Sequence, residues 1–97
     1  MSTLHVLSHS PFGDDRLSSC LRVIGTNDAL LLSGDAVYAL QPGTAPFSTL
    51  KTRGLTLFVL AEDVQARSIE TPDWAKAIDY PAFVDLSIHY DKVNSWL

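Results

Sequence analysis

The side chains able to do chemistry are few: one cysteine, three histidines, eleven carboxylates and several serines. Cys20 is the one candidate thiol nucleophile, and the chemistry it suggests is sulfur transfer. That chemistry needs a partly exposed thiol whose pKa is lowered by a helix N-terminus or a cation. Cys20 falls about six residues after an expected helix cap at Asp14, where the helix dipole helps little. Arg16 stands one turn before it, while Leu17 and Leu21 place it at the edge of an apolar stripe. Free cysteine is among the most buried residue types, so packing is the favoured role. His5 and His9 are four apart and would share one strand face with Leu7 between them. A metal there would need a third ligand from Asp14 or Asp35, and the spacing matches no defined ligand set, so no metal is expected. Ser8 or Ser10 with a histidine and an aspartate would spell a hydrolytic triad, but no Gly-x-Ser-x-Gly elbow exposes either serine. Serines in such a turn ordinarily satisfy backbone donors. The glycines stand at 13, 25, 34, 43 and 54, no two closer than nine positions. Phosphate-cradling loops need them two to five apart, so dinucleotide and P-loop sites are excluded and no cofactor is expected.

The elements that must position these residues alternate in type. Leu4–Leu7 reads as a short strand ending in breaker residues through Gly13. The 3.6-residue spacing of Leu17, Cys20, Leu21 and Ile24 predicts a helix over 14–24, with Asp14-Asp15 at its cap and acidic first turn and Gly25 as its stop. The apolar run Ala29–Leu32 predicts a strand covered on both faces. Ala36–Leu40 reads as a short helix or the start of a loop, and 41–44 as a turn. A helix runs from Pro46 to Arg53 and stops at Gly54. Leu55–Leu60 is the clearest strand. Residues 62–67 read as a helical turn, 77–80 as a weak fourth strand, and 81–90 as a helix with Phe83, Val84, Leu86 and Ile88 inward. Val93–Leu97 reads as an apolar tail. Strands alternating with helices mean an α/β domain with a mainly parallel sheet and right-handed crossovers. Any working site then lies at the carboxyl ends of the strands: Ser8–Phe12, Ser33–Asp35, Ala61–Asp63 and Tyr80–Pro81.

Ninety-seven residues suffice for one domain, 1–97, burying about two thirds of its unfolded surface. At 46% hydrophobic and 19% charged the chain is globular rather than disordered. Seven basic against eleven acidic residues leave −4, which argues against autonomous nucleic-acid binding. A single cysteine excludes an internal disulfide framework and any multi-cysteine metal cage. The first residues, Met1 to His5, carry no basic n-region, so no targeting leader is expected, and the longest apolar run, Leu57–Ala61, is far below the ~20 residues of a membrane span. A soluble cytoplasmic protein with no membrane association is expected. Trp74, Trp96, Tyr38 and Tyr80 suit either a core or an interface. An exposed Trp96-Leu97 ending is costly in water, and the mean hydropathy of +0.12 is high for so small a domain, which favours burial against a partner.

Several segments in order resemble the TusB/DsrH family: Leu4-His5-Val6-Leu7 with Ser10-Pro11-Phe12, Leu31-Leu32 with Asp35–Ala39, Asp63-Val64-Gln65-Ala66-Arg67, Asp79-Tyr80 with Phe83-Val84 and Leu86, and Trp96-Leu97. The blocks span nearly the whole chain. The resemblance implies a three-layer α/β/α domain with a mainly parallel sheet of four to five strands. It also implies a non-catalytic subunit rather than an enzyme. TusB-like proteins join TusC-like and TusD-like subunits, two copies of each. The heterohexamer passes persulfide sulfur through a TusE-like acceptor to a tRNA-thiolating enzyme that makes 2-thiouridine at the wobble position. DsrH-type members serve sulfur oxidation, and Cys20 resembles a cysteine found in them, which keeps a direct carrier role as an alternative. A small-ligand-binding regulatory module is the alternative from another class. The candidate partner surface is Ser10, Pro11, Phe12, Tyr38, Asp63, Arg67, Trp96 and Leu97, motif positions at strand ends or the chain end.

Overall fold

The computed structural model describes residues 1–96. Five strands, β1 (Thr3–Leu7), β2 (Ala29–Leu32), β3 (Thr56–Leu60), β4 (Lys76–Ile78) and β5 (Lys92–Trp96), form one sheet in the order β4-β3-β2-β1-β5. Every pairing is parallel. Four α-helices, α1 (Arg16–Val23), α2 (Ala45–Arg53), α3 (Ala61–Ala66) and α4 (Tyr80–His89), and a 3₁₀ segment, Gly34–Leu40, connect the strands. The walk from β1 to β4 runs in one direction, and right-handed crossovers therefore put all the intervening helices on one face. The step from β4 to β5 returns across the sheet in the opposite sense, so the same rule sends α4 to the other face.

Two unequal cores result. The first face packs Leu7, Leu30, Leu32, Leu57 and Val59 against Leu17, Cys20 and Leu21 of α1, Val37 and Leu40 of the 3₁₀ segment, Leu50 of α2 and Val64 of α3. The second packs Leu4, Ala29, Leu31, Leu60 and Ile78 against Ala82, Phe83 and Leu86 of α4 alone. Central β2 is buried at every position, as its unbroken apolar run requires.

The structure departs from the expected elements where pairing or packing at a distance decides. Residues 92–96 form a fifth strand rather than a tail. Lys-Val-Asn-Ser-Trp has no strand pattern of its own, but β1 offers a free edge, and Thr3–Leu7 pair in register with Lys92–Trp96. Ser2 and Asp91 tie its start to the N-terminus, Ser2 N–H donating to Asp91 Oδ2 at 3.0 Å. Gly25 is not a left-handed stop: α1 ends at Val23 on an extended Ile24, and Gly25 N–H donates to Asp28 Oδ2 at 2.8 Å. At the other end the residue before α1 is Asp15, but it is the Asp14 carboxylate that accepts from Arg16 N–H, and the first turn holds no acid. Residues 34–40 form a full seven-residue 3₁₀ helix, long for its kind. The fourth strand is Lys76–Ile78, with Asp79 instead capping α4 through Ala82 N–H at 3.0 Å.

Helix α4 carries two apolar stripes, which periodicity cannot rank. Ala82, Phe83, Leu86 and Tyr90 turn to the sheet. Val84 and Ile88, expected inward, are 47% and 75% exposed, and with Tyr80 they line the outer side at four-residue steps. Helix α3 ends in a Schellman turn: Ile69 N–H donates to Val64 carbonyl oxygen and Ser68 N–H to Gln65 carbonyl oxygen. Ser68 there has φ 54°, a left-handed conformation that glycine adopts without steric cost. Ser68→Gly should therefore raise stability by about 1 kcal/mol, measured as a higher urea midpoint with an unchanged slope.

Candidate functional site

The carboxyl ends of β2 and β3 bring together residues far apart in sequence. Asp63, in the first turn of α3, accepts Gly34 N–H on Oδ2 at 2.8 Å. Gly34 has φ +51°, and a Cβ there would sit 3.1 Å from the Ser8 carbonyl oxygen, so glycine lets the β2 end approach the β1 end. Arg67 closes the cluster. Its Nε and Nη2 donate to Asp35 Oδ1 at 3.1 and 2.9 Å, and Nη1 donates to the Asp63 carbonyl oxygen at 3.2 Å. The guanidinium also lies 5.8 Å from the Tyr38 ring centroid, a cation–π contact. Hydrogen bonding from Asp35 holds the Arg67 pKa above its ordinary value. Asp63 and Arg67, four apart on α3 and its end, also pair at 3.7 Å, but the nearer carboxylate is Asp35. Tyr38, Asp63 and Arg67 are thus brought together as a staple between α3 and the 3₁₀ segment. It ties the strand ends together through paired charges.

The other expected surface residues lie separately. Ser10 Oγ accepts Phe12 N–H at 3.2 Å, an ordinary turn role, and Phe12 stands 57% exposed. Trp96 is half-buried, and its indole N–H donates to His5 Nδ1 at 3.1 Å. Leu97 lies outside the described residues. Tyr80 stacks edge-on against Phe83, and Trp74 against Phe47. His5 and His9 do not converge: His9 is exposed beyond the end of β1, while both ring nitrogens of His5 are taken by Asp28 and Trp96.

Cys20 is wholly buried in the first core. Burial pushes its thiol up to about 11, and the Asp28 charge adds to the rise against an opposing effect of Arg53. Helix α1 runs back from the carboxyl end of β1, so Cys20 sits toward the amino-terminal ends of the strands, near Asp28, away from the rim described above. A cleft of about 310 Å³ opens on that side, lined by Gly25, Thr26, Asp28 and Arg53 among others.

Asp28 is the residue that sequence patterns did not single out. Its Oδ1 accepts Thr3 N–H at 2.9 Å, and its Oδ2 accepts Gly25 N–H at 2.8 Å and faces His5 Nε2 at 3.1 Å. The only local signal was an acid immediately before an apolar strand. The Gly25 N–H, then the hydrogen bonds of His5 and Thr3, hold its carboxyl below the usual range.

Two outcomes follow from these geometries. Cys20 should react with iodoacetamide at pH 8 at least roughly 10²-fold more slowly than a free thiol, because a pKa so raised leaves little thiolate; unfolding in urea should restore the rate. For Asp28, a depressed folded pKa means stability that is present above the unfolded pKa of about 3.9 and is lost as pH falls through the folded value. Asp28→Asn should therefore cost about 1–3 kcal/mol near neutrality and flatten the acid limb of a stability–pH curve relative to the unaltered protein.

Comparison with known proteins gives a consistent kinship. Residues 9–93 match the family described as DsrH like protein. A protein named TusB from Yersinia enterocolitica is 36% identical over 95 residues, covering 96% of this chain and 99% of the relative. A TusB from Erwinia tasmaniensis is 35% identical over the same extent. The crystal structure of the YchN protein from E. coli superposes with a TM-score of 0.72 at 20% identity, covering 98% of this chain and 99% of YchN, which speaks to the fold. The ordered blocks, the all-parallel five-stranded sheet and the full-length likeness to TusB proteins agree: the chain belongs to the TusB/DsrH family.

Proposed function

We propose that this chain is an accessory, non-catalytic subunit of a TusBCD-like sulfur-relay complex, pairing with TusC-like and TusD-like chains in a heterohexamer. The complex passes persulfide sulfur toward 2-thiolation of the tRNA wobble uridine. The observation that carries the non-catalytic part is Cys20. A relay thiol must meet a donor persulfide and be ionised, and this one is sealed in the core with its pKa raised to about 11. The carboxyl-terminal rim, where an α/β sheet usually places its chemistry, is occupied by the Asp35–Arg67–Asp63 staple. Such a rim suits docking better than reaction, and the exposed Phe12 and the Tyr38–Arg67 face form its contact surface. The cytoplasm is the compartment such a relay requires. Among the described residues no helix is long and apolar enough to cross a membrane. The TusB names of the relatives favour tRNA thiolation over the sulfur oxidation of DsrH-type members.

Deleting the gene should remove most 2-thiouridine from bulk tRNA, measured by mass spectrometry of nucleosides. Complementation with Cys20→Ala should restore it in full. Unchanged 2-thiouridine in the deletion strain would end the tRNA reading. A Cys20→Ala protein that assembles and is stable but fails to restore thiolation would make Cys20 a carrier.

A further inference from the structure

His5 is the one buried polar side chain among the described residues, 4% exposed, and the staple at the sheet rim does not use it. Its ring lies between two partners, Asp28 Oδ2 on Nε2 and the Trp96 indole on Nδ1, each at 3.1 Å. An indole N–H only donates. Nδ1 must therefore accept, and the proton of the neutral ring sits on Nε2, donated to the Asp28 carboxylate. The tautomer follows from the donor inventory alone.

We propose that His5 is a proton-operated latch on β5: the neutral ring holds Trp96, and the doubly protonated ring releases it. The proton comes from solvent and binds the lone pair on Nδ1. Once there it faces the indole N–H, donor against donor, and that hydrogen bond is lost. The imidazolium is retained on its other side, because Asp28 supplies a counter-charge already fixed by Thr3 N–H and Gly25 N–H. One proton thus strengthens the His5–Asp28 contact and cancels the His5–Trp96 contact. General acid lability would weaken both.

The surroundings allow this. From α1, Cys20 is buried with its pKa raised and so stays neutral. From the end of α2, Arg53 lines the cleft that Asp28 also lines, and its guanidinium donates to the Leu21 carbonyl oxygen at 2.9 Å. From β5, Lys92 pairs with Thr3, two positions from His5 on the same face. The two cations oppose a charged His5 and Asp28 favours it, with Asp28 alone in direct contact.

What the latch controls is also visible. β5 is an edge strand whose positions before Trp96 are all exposed. Trp96 is the only β5 side chain packed on either core. Losing the indole bond leaves Trp96 held by its packing on the first core alone and β5 by backbone pairing to β1 and the Ser2–Asp91 ties, which loosens a large aromatic side chain at the edge. The latch is independent of the sulfur-relay reading, and its failure would leave that reading standing.

The test uses the full chain carrying Trp74→Phe, so that Trp96 is the sole tryptophan, titrated between about pH 8 and pH 5, where histidines ordinarily change charge. The expected result is a one-proton transition in the Trp96 indole N–H resonance and a roughly tenfold loss of protection of that hydrogen at the acid end, taken relative to the intrinsic indole exchange rate at each pH, with the far-ultraviolet circular dichroism unchanged. In His5→Asn the amide oxygen stands in for Nδ1 and does not titrate, so the transition should vanish. A transition that survives in His5→Asn, or none in the parent, overturns the latch. Should His5→Asn fail to fold, ring-nitrogen NMR of the parent decides. A neutral Nε2–H ring whose Nδ1 protonation tracks the indole supports the latch, and a neutral Nδ1–H ring overturns it.

Discussion

The carboxylate of Asp28 is where three separate parts of the chain are joined. It accepts from the first residue of β1, from the turn that ends α1, and from a histidine whose other nitrogen reaches the last strand. The Thr3 N–H is part-buried at the amino-terminal edge of the sheet, and an unmade backbone bond in such a place is expensive; the Gly25 bond is exposed and serves to fix the turn. The α1–β2 connection takes its shape from this one side chain. So does the register of β1, because the Thr3 bond anchors the start of a strand flanked on both sides. The low position of the Asp28 pKa expresses the same fact: the ionised form is the one the surrounding donors are built for.

The sheet distributes its burden unequally. Four helical segments cover one face and a single helix covers the other. A sheet this parallel must be covered on both faces, and α4 alone does so over the middle strands. The consequence is an exposed apolar stripe of Tyr80, Val84 and Ile88 on the outside of α4 and an exposed Val93 on β5. The same economy explains Cys20. The crowded face has no room for an open thiol, and the helix that carries it presses it inward. Packing keeps the thiol inside, and paired charges occupy the rim at the carboxyl ends of the strands.

Much of this was legible in the residues. The runs Ala29–Leu32 and Leu55–Leu60, the spacing of Leu17, Cys20 and Leu21, Pro46 near a helix start and Gly54 at its end all stand where local pattern puts them. Cys20 in an apolar stripe reads correctly as packed. The Asp63–Arg67 spacing foretells their proximity but not that Asp35 is the nearer carboxylate, because Asp35 lies 32 positions from Arg67. Gly25 looked like a stop because glycine often is one, yet Asp28 captures its N–H first. Val84 and Ile88 looked inward because two stripes at the same period are indistinguishable until the sheet chooses one.

The sequence by itself determined the class of fold, the order of the elements, the absence of glycine-rich phosphate loops and the inward place of the thiol. Each of these is written in short-range periodicity or in counts. The fifth strand, the rank of the stripes on α4 and the line Asp28–His5–Trp96 were decided only in three dimensions. Residues 92–96 carry too little pattern to be a strand alone and become one because the β1 edge needs partners. His5 meets Asp28 and Trp96 across separations of 23 and 91 residues. Local sequence encodes which way a side chain points, but which groups meet there depends on which edges and donors the rest of the chain leaves unsatisfied.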